Sequence, residues 1–403
     1  MRRIAVLSLG NFFSAAHFFL IIYILAPYLA TLMPAAVSGL AISLGAVVTL
    51  SIYPLMPKLV AKYGPQKLVI VLSLLEIAIL LALAFDPMPL LAVLLAALAC
   101  ANSPFIGYQQ DLLLEAAVTD ESFTGRIRTA FLTAGNVALV LAPIVTGFLL
   151  DGSNQYGLVF LVAALTLVPF ILLMSLKSLP RPDTAPMQTN VKKACLCIMK
   201  DKDLRGIALA AAVLQIFFHL APLYIPLYLH TVLGIPWSEL GWIFAVMLVP
   251  FVLLEFPAGW LADTKLGDKR ILIAGFVIMG LALAATGLIT EATPFASIMV
   301  LLVLSRTGAA LVEAMVEGHF FRRVSVNDTN TLSVFRMMRP GGALIAPIIG
   351  SVLLSVTSYA TFFAITGAGI LLVGLWSARM IRDPRSEGGM LCLLLGACHR
   401  GRA

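Results

Sequence analysis

A few polar side chains interrupt the long apolar runs of this chain, and their types define the chemistry available to it. His17, Asn102, Asn136, Gln215, His219, Arg306 and Arg339 each fall near the middle of such a run. Imidazole titrates near neutral pH and can carry a proton, or it can bond a hydroxyl or a neighbouring helix. The guanidinium fork suits carboxylate or phosphate. Arg306 has no acid at i±3 or i±4, and Glu313 lies two turns away on the same face. It is read as a clamp for an anionic group, or as one half of an ion pair that packs its helix. Gln215 lies one turn before His219 and would share a polar platform with it. Arg336 and Arg339, at i,i+3, are expected on one helical face, Arg336 as a gating or structural cation. Asp111, Glu255 and Glu313 are the proton-coupling candidates; a buried carboxyl resists ionisation and so takes up protons more readily. Glu76, also mid-run, is ranked behind Glu255 and Asp111.

The elements that must hold these groups follow from composition. The chain has 403 residues, 61% hydrophobic and 12% charged, with mean hydropathy +1.01. Water-facing surface needs more charge than that, so the bilayer is its natural solvent. Crossing about 30 Å of hydrocarbon takes roughly 20 apolar residues in a helix. Twelve such runs are predicted, at 4–30, 36–58, 67–86, 88–114, 126–150 and 156–176, then 205–230, 238–261, 270–290, 293–317, 329–356 and 360–380. They are far too long for barrel strands, which leaves helices as the spanning structure. A first bundle is expected over 1–176, a polar, basic linker over 177–203, a second bundle over 204–381 and a tail over 382–403. The first run is too long for a cleavable signal peptide. The five cysteines show no disulfide framework, and Cys195-Leu196-Cys197 lacks the spacing of redox or zinc motifs.

Basic residues collect in alternate loops: Arg2 and Arg3, Lys58 to Lys67, Arg126 and Arg128, the linker, Lys265 to Arg270, Arg322 and Arg323, Arg379 and Arg382. The opposite loops carry Asp86, Asp151, Glu239 and Glu291 without lysine or arginine. This bias places both termini in the cytoplasm and accounts for the net charge of +7. It is not a nucleic-acid footprint, because no basic stripe with interleaved aromatics occurs. Tyr23, Tyr28, Tyr224 and Tyr228 fall in the outer halves of their runs, where interfacial anchoring is expected first and gate contacts second. Pro27, Pro222, Pro226 and Pro250 are expected to bend their helices.

The two halves of the chain echo each other. Leu141-Ala142-Pro143-Ile144-Val145 matches Ile345-Ala346-Pro347-Ile348-Ile349, and His17 matches His219 in placement. A charged turn at Gly259 to Arg270 has a worn copy at Pro57 to Lys67. The later copy keeps Gly259, Asp263, Gly267, Lys269 and Arg270; the earlier keeps Lys62, Gly64 and Lys67, with Pro57 and Ala61 where a glycine and an aspartate would stand. This pattern resembles the loop signature of the major facilitator superfamily. The resemblance implies an all-α membrane protein of two six-helix bundles with a central site, in which helices 1, 4, 7 and 10 line the cavity and helix 3 is peripheral. It also implies a gating latch centred on Asp263, a carboxylate at a helix N-terminus with Lys269 and Arg270 as partners. The other reading of the same loop is a solvated turn whose charges only set topology.

The resemblance further implies secondary active transport of a small organic solute by alternating access, with protons as partner and no cofactor. Efflux by an antiport mechanism from a bacterial inner membrane, by a monomer, is the first expectation. A carrier of a small anionic metabolite held by Arg306 is the alternative, and a non-transporting sensor or scaffold a third. No Walker loop, nucleophile–base pair or metal cluster is spaced for enzymatic work.

Overall fold

The computed structural model describes residues 2–85, 87–117, 124–151, 155–176, 191–324 and 329–382; within them, some side chains, including those of Glu255 and Asp263, lie outside the description. Among the described residues every regular element is helical. Twelve helical segments are long and apolar enough to cross a membrane, from Arg3–Ala30 to Tyr359–Met380, in the order expected.

Spans 1 to 6 are built from α1 (Arg2–Ile22) with α2 (Leu25–Ala30), α3 (Ala35–Ile52) with α4 (Met56–Tyr63), α5 (Pro65–Ala84), α6 (Pro89–Ala117), α7 (Thr124–Leu150) and α8 (Tyr156–Met174). A short helix, α9 (Val191–Lys200), precedes span 7, which is α10 (Lys202–Pro226) extended by a π-helical turn over Leu227–Val232. The remaining spans are α11 (Trp237–Leu261), α12 (Asp268–Thr286), α13 (Phe295–Arg323), α14 (Thr329–Arg336) with α15 (Met338–Val356), and α16 (Tyr359–Met380).

The broken spans share one feature, a proline four residues past the break. A proline ring clashes with the carbonyl four residues earlier and offers that carbonyl no N–H. Pro27, Pro57 and Pro340 point back to Tyr23, Tyr53 and Arg336, and the helices are interrupted beside those three residues. The break after Arg336 overturns the expectation that Arg336 and Arg339 share one uninterrupted face: Arg336 ends α14 and Arg339 is the second residue of α15. The two charged turns are also alike. Gly64 (φ 77°) stands between α4 and α5, and Gly267 (φ 75°) stands between the π-turn after α11 and α12. Each ends one helix and begins the next in the left-handed region, where a side chain is strained. That repeat survives although the intervening residues have diverged.

The chain forms two compact units. Unit 1 comprises 1–188, 218–248 and 340–358; unit 2 comprises 189–217, 249–339 and 359–403. The sequence repeat divides the chain at the linker, whereas packing divides it through α10 and α11 and between α14 and α15. In unit 1 the reason is visible at the end away from the N-terminus. Tyr23 stacks on Phe244 (centroids 5.0 Å), Tyr156 meets Trp237 edge to face (6.2 Å), and Tyr224 donates to Pro347 O (2.9 Å). Gly147 and Gly241 pack backbone against backbone, each helix lying where the other's Cβ would be.

Lipid tails are as apolar as leucine, so helices in a bilayer associate through close packing and polar bonds rather than through escape from water. In unit 2, α12 shows this. Gly275 faces Gly308 of α13, and Gly280 faces Gly367 of α16. A Cβ on Gly367 would lie 2.5 Å from Ala284 N. Gly367→Leu is therefore expected to cost about 1–3 kcal/mol through overpacking. The check is the thermal unfolding midpoint of the purified protein in detergent; an unchanged midpoint would mean that α12 and α16 re-pack freely.

Candidate functional site

In unit 1, three spans converge on a buried polar cluster. His17 of α1 and Glu76 of α5 are 1% and 0% exposed, and His17 Nε2 lies 3.3 Å from Glu76 Oε1. His17 Nδ1 donates to Ser14 O (2.8 Å). Asn102 Nδ2 of α6 donates to Glu76 Oε2 (2.8 Å) and also to Leu72 O (2.8 Å). Ser103 Oγ stands 3.5 Å from His17 Nε2, and Gln110 Nε2 donates to Ser14 Oγ (2.7 Å). Because Nδ1 must hold a hydrogen to meet a carbonyl, Nε2 is the ring nitrogen left to face Glu76 Oε1.

Sequence reasoning named His17 and Asn102 but ranked Glu76 low, since it stands on a span expected to be peripheral. The available signal was depth. A histidine and a glutamate at matching depth on different apolar spans each need a partner, and each is the other's nearest means of neutralisation. Of the acids ranked first, Asp111 is exposed, and the side chain of Glu255 lies outside the described residues. Asn136 of α7 is half-buried, as is His219 of α10. At the first charged turn, Lys62 lies over the ring of Tyr63 (5.0 Å).

In unit 2, Arg306 of α13 is buried at 2% exposure, its guanidinium 4.9 Å from the centroid of Phe217 on α10. The cation faces a π surface, an arrangement that favours a buried guanidinium. Gln215, two residues before Phe217, is half-buried, as is Glu313; Arg336 and Arg339 are exposed. The structure thus brings His17 and Asn102 together around Glu76 within unit 1, while Arg306 and Gln215 belong to unit 2.

Tyr23, Tyr28, Tyr224 and Tyr228 are 4%, 4%, 0% and 7% exposed, which overturns their expected role as interfacial anchors. Tyr28 packs edge to face on Tyr156 and Phe160. The ring of Tyr224 occupies the space beside Gly350, and its hydroxyl has Ser351 Oγ at 3.4 Å besides Pro347 O. They pack among other rings and backbone inside unit 1.

The second charged turn yields a network that sequence reasoning missed. The Asp263 side chain, on which the latch was centred, lies outside the described residues; Gly259, Lys269 and Arg270 are half-exposed and Gly267 is buried. The neighbouring Asp268, first residue of α12, carries the observed pairs. It accepts from His319 Nδ1 (2.8 Å) and Arg322 Nη2 (2.5 Å). The other ring nitrogen of His319 lies 3.2 Å from both carboxylate oxygens of Asp203. Asp203 also accepts from Arg323 Nε (2.5 Å) and the backbone N–H of Arg382 (2.7 Å). A neutral imidazole has one donor and one acceptor, so a ring with a carboxylate at each nitrogen is doubly protonated. One histidine thereby ties the starts of α10 and α12 to the end of α13, and Asp203 adds the end of α16. Removing one partner of such a buried group costs about 3–5 kcal/mol. Asp203→Asn is expected near the lower end, because the Arg323 side chain is 47% exposed and can turn to water. A depressed thermal unfolding midpoint in detergent is the expected result; an unaltered midpoint would show the network to be energetically idle.

Among the described residues, twelve apolar spans with ionisable pairs buried among them define an integral membrane protein. The sequence profile of the Major Facilitator Superfamily matches residues 7–238 and 207–389, and the chain belongs to that family. Among curated proteins it is similar to the methyl viologen resistance protein SmvA of Salmonella typhimurium, 30% identical over 161 residues, 40% of this chain and 32% of that one. It is also similar to the probable sulfoacetate transporter SauU of Cupriavidus necator, 27% identical over 142 residues, 34% of this chain and 31% of that one. The matched stretch thus spans about a third of either relative. The nucleoside transporter NupG shares the fold at TM-score 0.75 and 16% identity, with 94% of this chain and 99% of that one covered. A bacterial homologue of the iron transporter ferroportin does so at TM-score 0.71 and 17% identity, with 94% and 98% covered.

Proposed function

We propose that this chain is a proton-coupled secondary transporter of efflux type, exchanging a small organic cation for a proton. The observation that carries this reading is the buried His17–Glu76 pair steadied by Asn102. The pair is neutral with its shared proton in place. Losing that proton leaves one negative charge in a dry bundle, a state that a bound cation stabilises and an empty site does not. Proton release and cation binding therefore favour each other, and re-protonation favours cation release, which is the thermodynamic requirement of antiport. The methyl viologen resistance named for SmvA agrees with a cationic solute. His17 and Asn102, with Asn136, Gln215, His219, Arg306 and Arg339, form the proposed substrate set. Asp111, Glu255 and Glu313 remain secondary proton candidates. Gly259, Asp263, Gly267, Lys269 and Arg270, with Lys62, Gly64 and Arg336, form the proposed gate. The alternate-loop charge bias supports cytoplasmic termini, and the bacterial sources of SmvA and SauU agree with a proposed bacterial inner membrane. The proposed working unit is a monomer of two six-helix bundles.

One observation favours a second reading. The wholly buried Arg306 suits a carrier of small anions, and the name of SauU agrees with that.

The two readings separate in proteoliposomes with an imposed pH gradient, given methyl viologen or sulfoacetate. Cation exchange predicts gradient-driven movement of methyl viologen that Glu76→Gln lowers at least about tenfold, while gradient-free counterflow persists. Gradient-driven movement undiminished in Glu76→Gln would refute the coupling role. Thermal stabilisation of the native protein by sulfoacetate, lost in Arg306→Ala, would instead establish the anion carrier; unchanged stabilisation in that variant would remove Arg306 as its clamp.

A further inference from the structure

The helix α9 has an apolar side that the described protein does not cover. Its sequence, Val-Lys-Lys-Ala-Cys-Leu-Cys-Ile-Met-Lys, contains three lysines and no acid. Ile198 is buried, packed with Ala208 of α10, Val334 of α14 and the partly buried Met338. The opposite arc is exposed: Leu196 and Met199 are each 60% exposed, and Cys195 lies on the same arc as a free, exposed thiol. At 100° per residue Cys195, Met199 and Leu196 form one continuous stripe, and Lys200 borders it. A ten-residue helix is marginal in water on its own.

Connectivity fixes where this stripe sits. Lys200 is separated by Asp201 alone from Lys202, the first residue of span 7. That junction is rigid. Asp201 Oδ1 accepts from the N–H groups of Asp203 (2.8 Å) and Leu204 (3.3 Å), and Asp201 N donates to Cys197 O (3.2 Å). Arg205 Nη1 reaches back to Met199 O (3.4 Å). A helix clamped one residue from the point where a span leaves the hydrocarbon lies at the depth of the lipid headgroups. Exposed Lys200 and Lys202 stand at that same depth, where cations are drawn to anionic lipid by about 1 kcal/mol each.

We propose that α9 is a bilayer-surface helix: its Cys195–Leu196–Met199 stripe enters the headgroup–acyl boundary, and Lys200 and Lys202 bind anionic phospholipid. Charge complementarity, the basic border on an apolar stripe and the fixed height support this occupant. Since α9 also packs on α14, the lipid composition bears on the start of span 11. The inference is independent of what the protein carries.

The test uses the full chain with Cys195 as its sole cysteine, labelled with an environment-sensitive fluorophore, in nanodiscs of phosphatidylcholine or phosphatidylcholine with phosphatidylglycerol. Acyl-chain spin labels are expected to quench the probe several-fold more than aqueous iodide. Phosphatidylglycerol should lower iodide access further, an effect that Lys200→Glu removes without affecting folding of the spans. Leu196→Asp should shift the probe toward iodide. Equal or greater quenching by iodide in both lipids would overturn the proposal. Protection from both quenchers would also overturn it, and would point to a protein segment on the stripe.

Discussion

Inside hydrocarbon no polar group can turn to water, and every larger feature of this protein follows from that. Backbone groups meet the constraint by forming helices, so the described chain is helical throughout its spans. Side chains meet it by finding partners on other helices. His17 bonds Glu76 across α1 and α5, Asn102 joins them from α6, and Arg306 lies on the face of Phe217. Each contact supplies the directional attraction that lipid-solvated apolar surfaces lack. Chemistry and cohesion are therefore performed by the same residues.

The two histidine–carboxylate clusters obey the same rule with different outcomes. His319 is flanked by two aspartates, which in turn receive two arginines and a backbone N–H. The exposed arginine side chains can turn to water, but His319 and its two aspartates stay tied to one another between the helix ends. Such an over-determined network suits a fixed joint. At His17 the arrangement is sparser. The ring faces one carboxylate oxygen at 3.3 Å, and one amide holds the other. Fewer bonds hold that pair than hold His319, a difference in connectivity rather than in residue type.

The spans and the class of fold were legible in the sequence, because a run of roughly 20 apolar residues has few alternatives. So were His17, Asn102 and Arg306 as buried groups, since ionisable or amide side chains at mid-span cannot face lipid without penalty. Pairing was less legible. Glu76 belongs to a span read as peripheral, and only three-dimensional proximity promotes it. Asp268 shared a loop with the motif aspartate Asp263 and was passed over because the motif assigns the role by register. Which acid reaches His319 depends on where α12 begins, and Gly267 sets that through a positive φ. The i,i+3 spacing of Arg336 and Arg339 implies one face only if the helix is continuous, and Pro340 bars the carbonyl of Arg336 from its bond. The tyrosines were assigned by depth alone, whereas packing partners such as Phe244 and Gly350 come from far along the chain.

Tyr224 shows how these constraints combine. Its ring needs a neighbour without a side chain, which Gly350 and Gly39 provide, and its hydroxyl needs an acceptor, which Pro347 O provides. A larger residue at position 350 would displace the ring, and with the ring the hydrogen bond. One contact thus depends on a glycine from span 2, a glycine from span 11 and a tyrosine from span 7. A seal made this way, from shape and a single neutral bond, separates at lower energetic cost than an ion network such as that of His319.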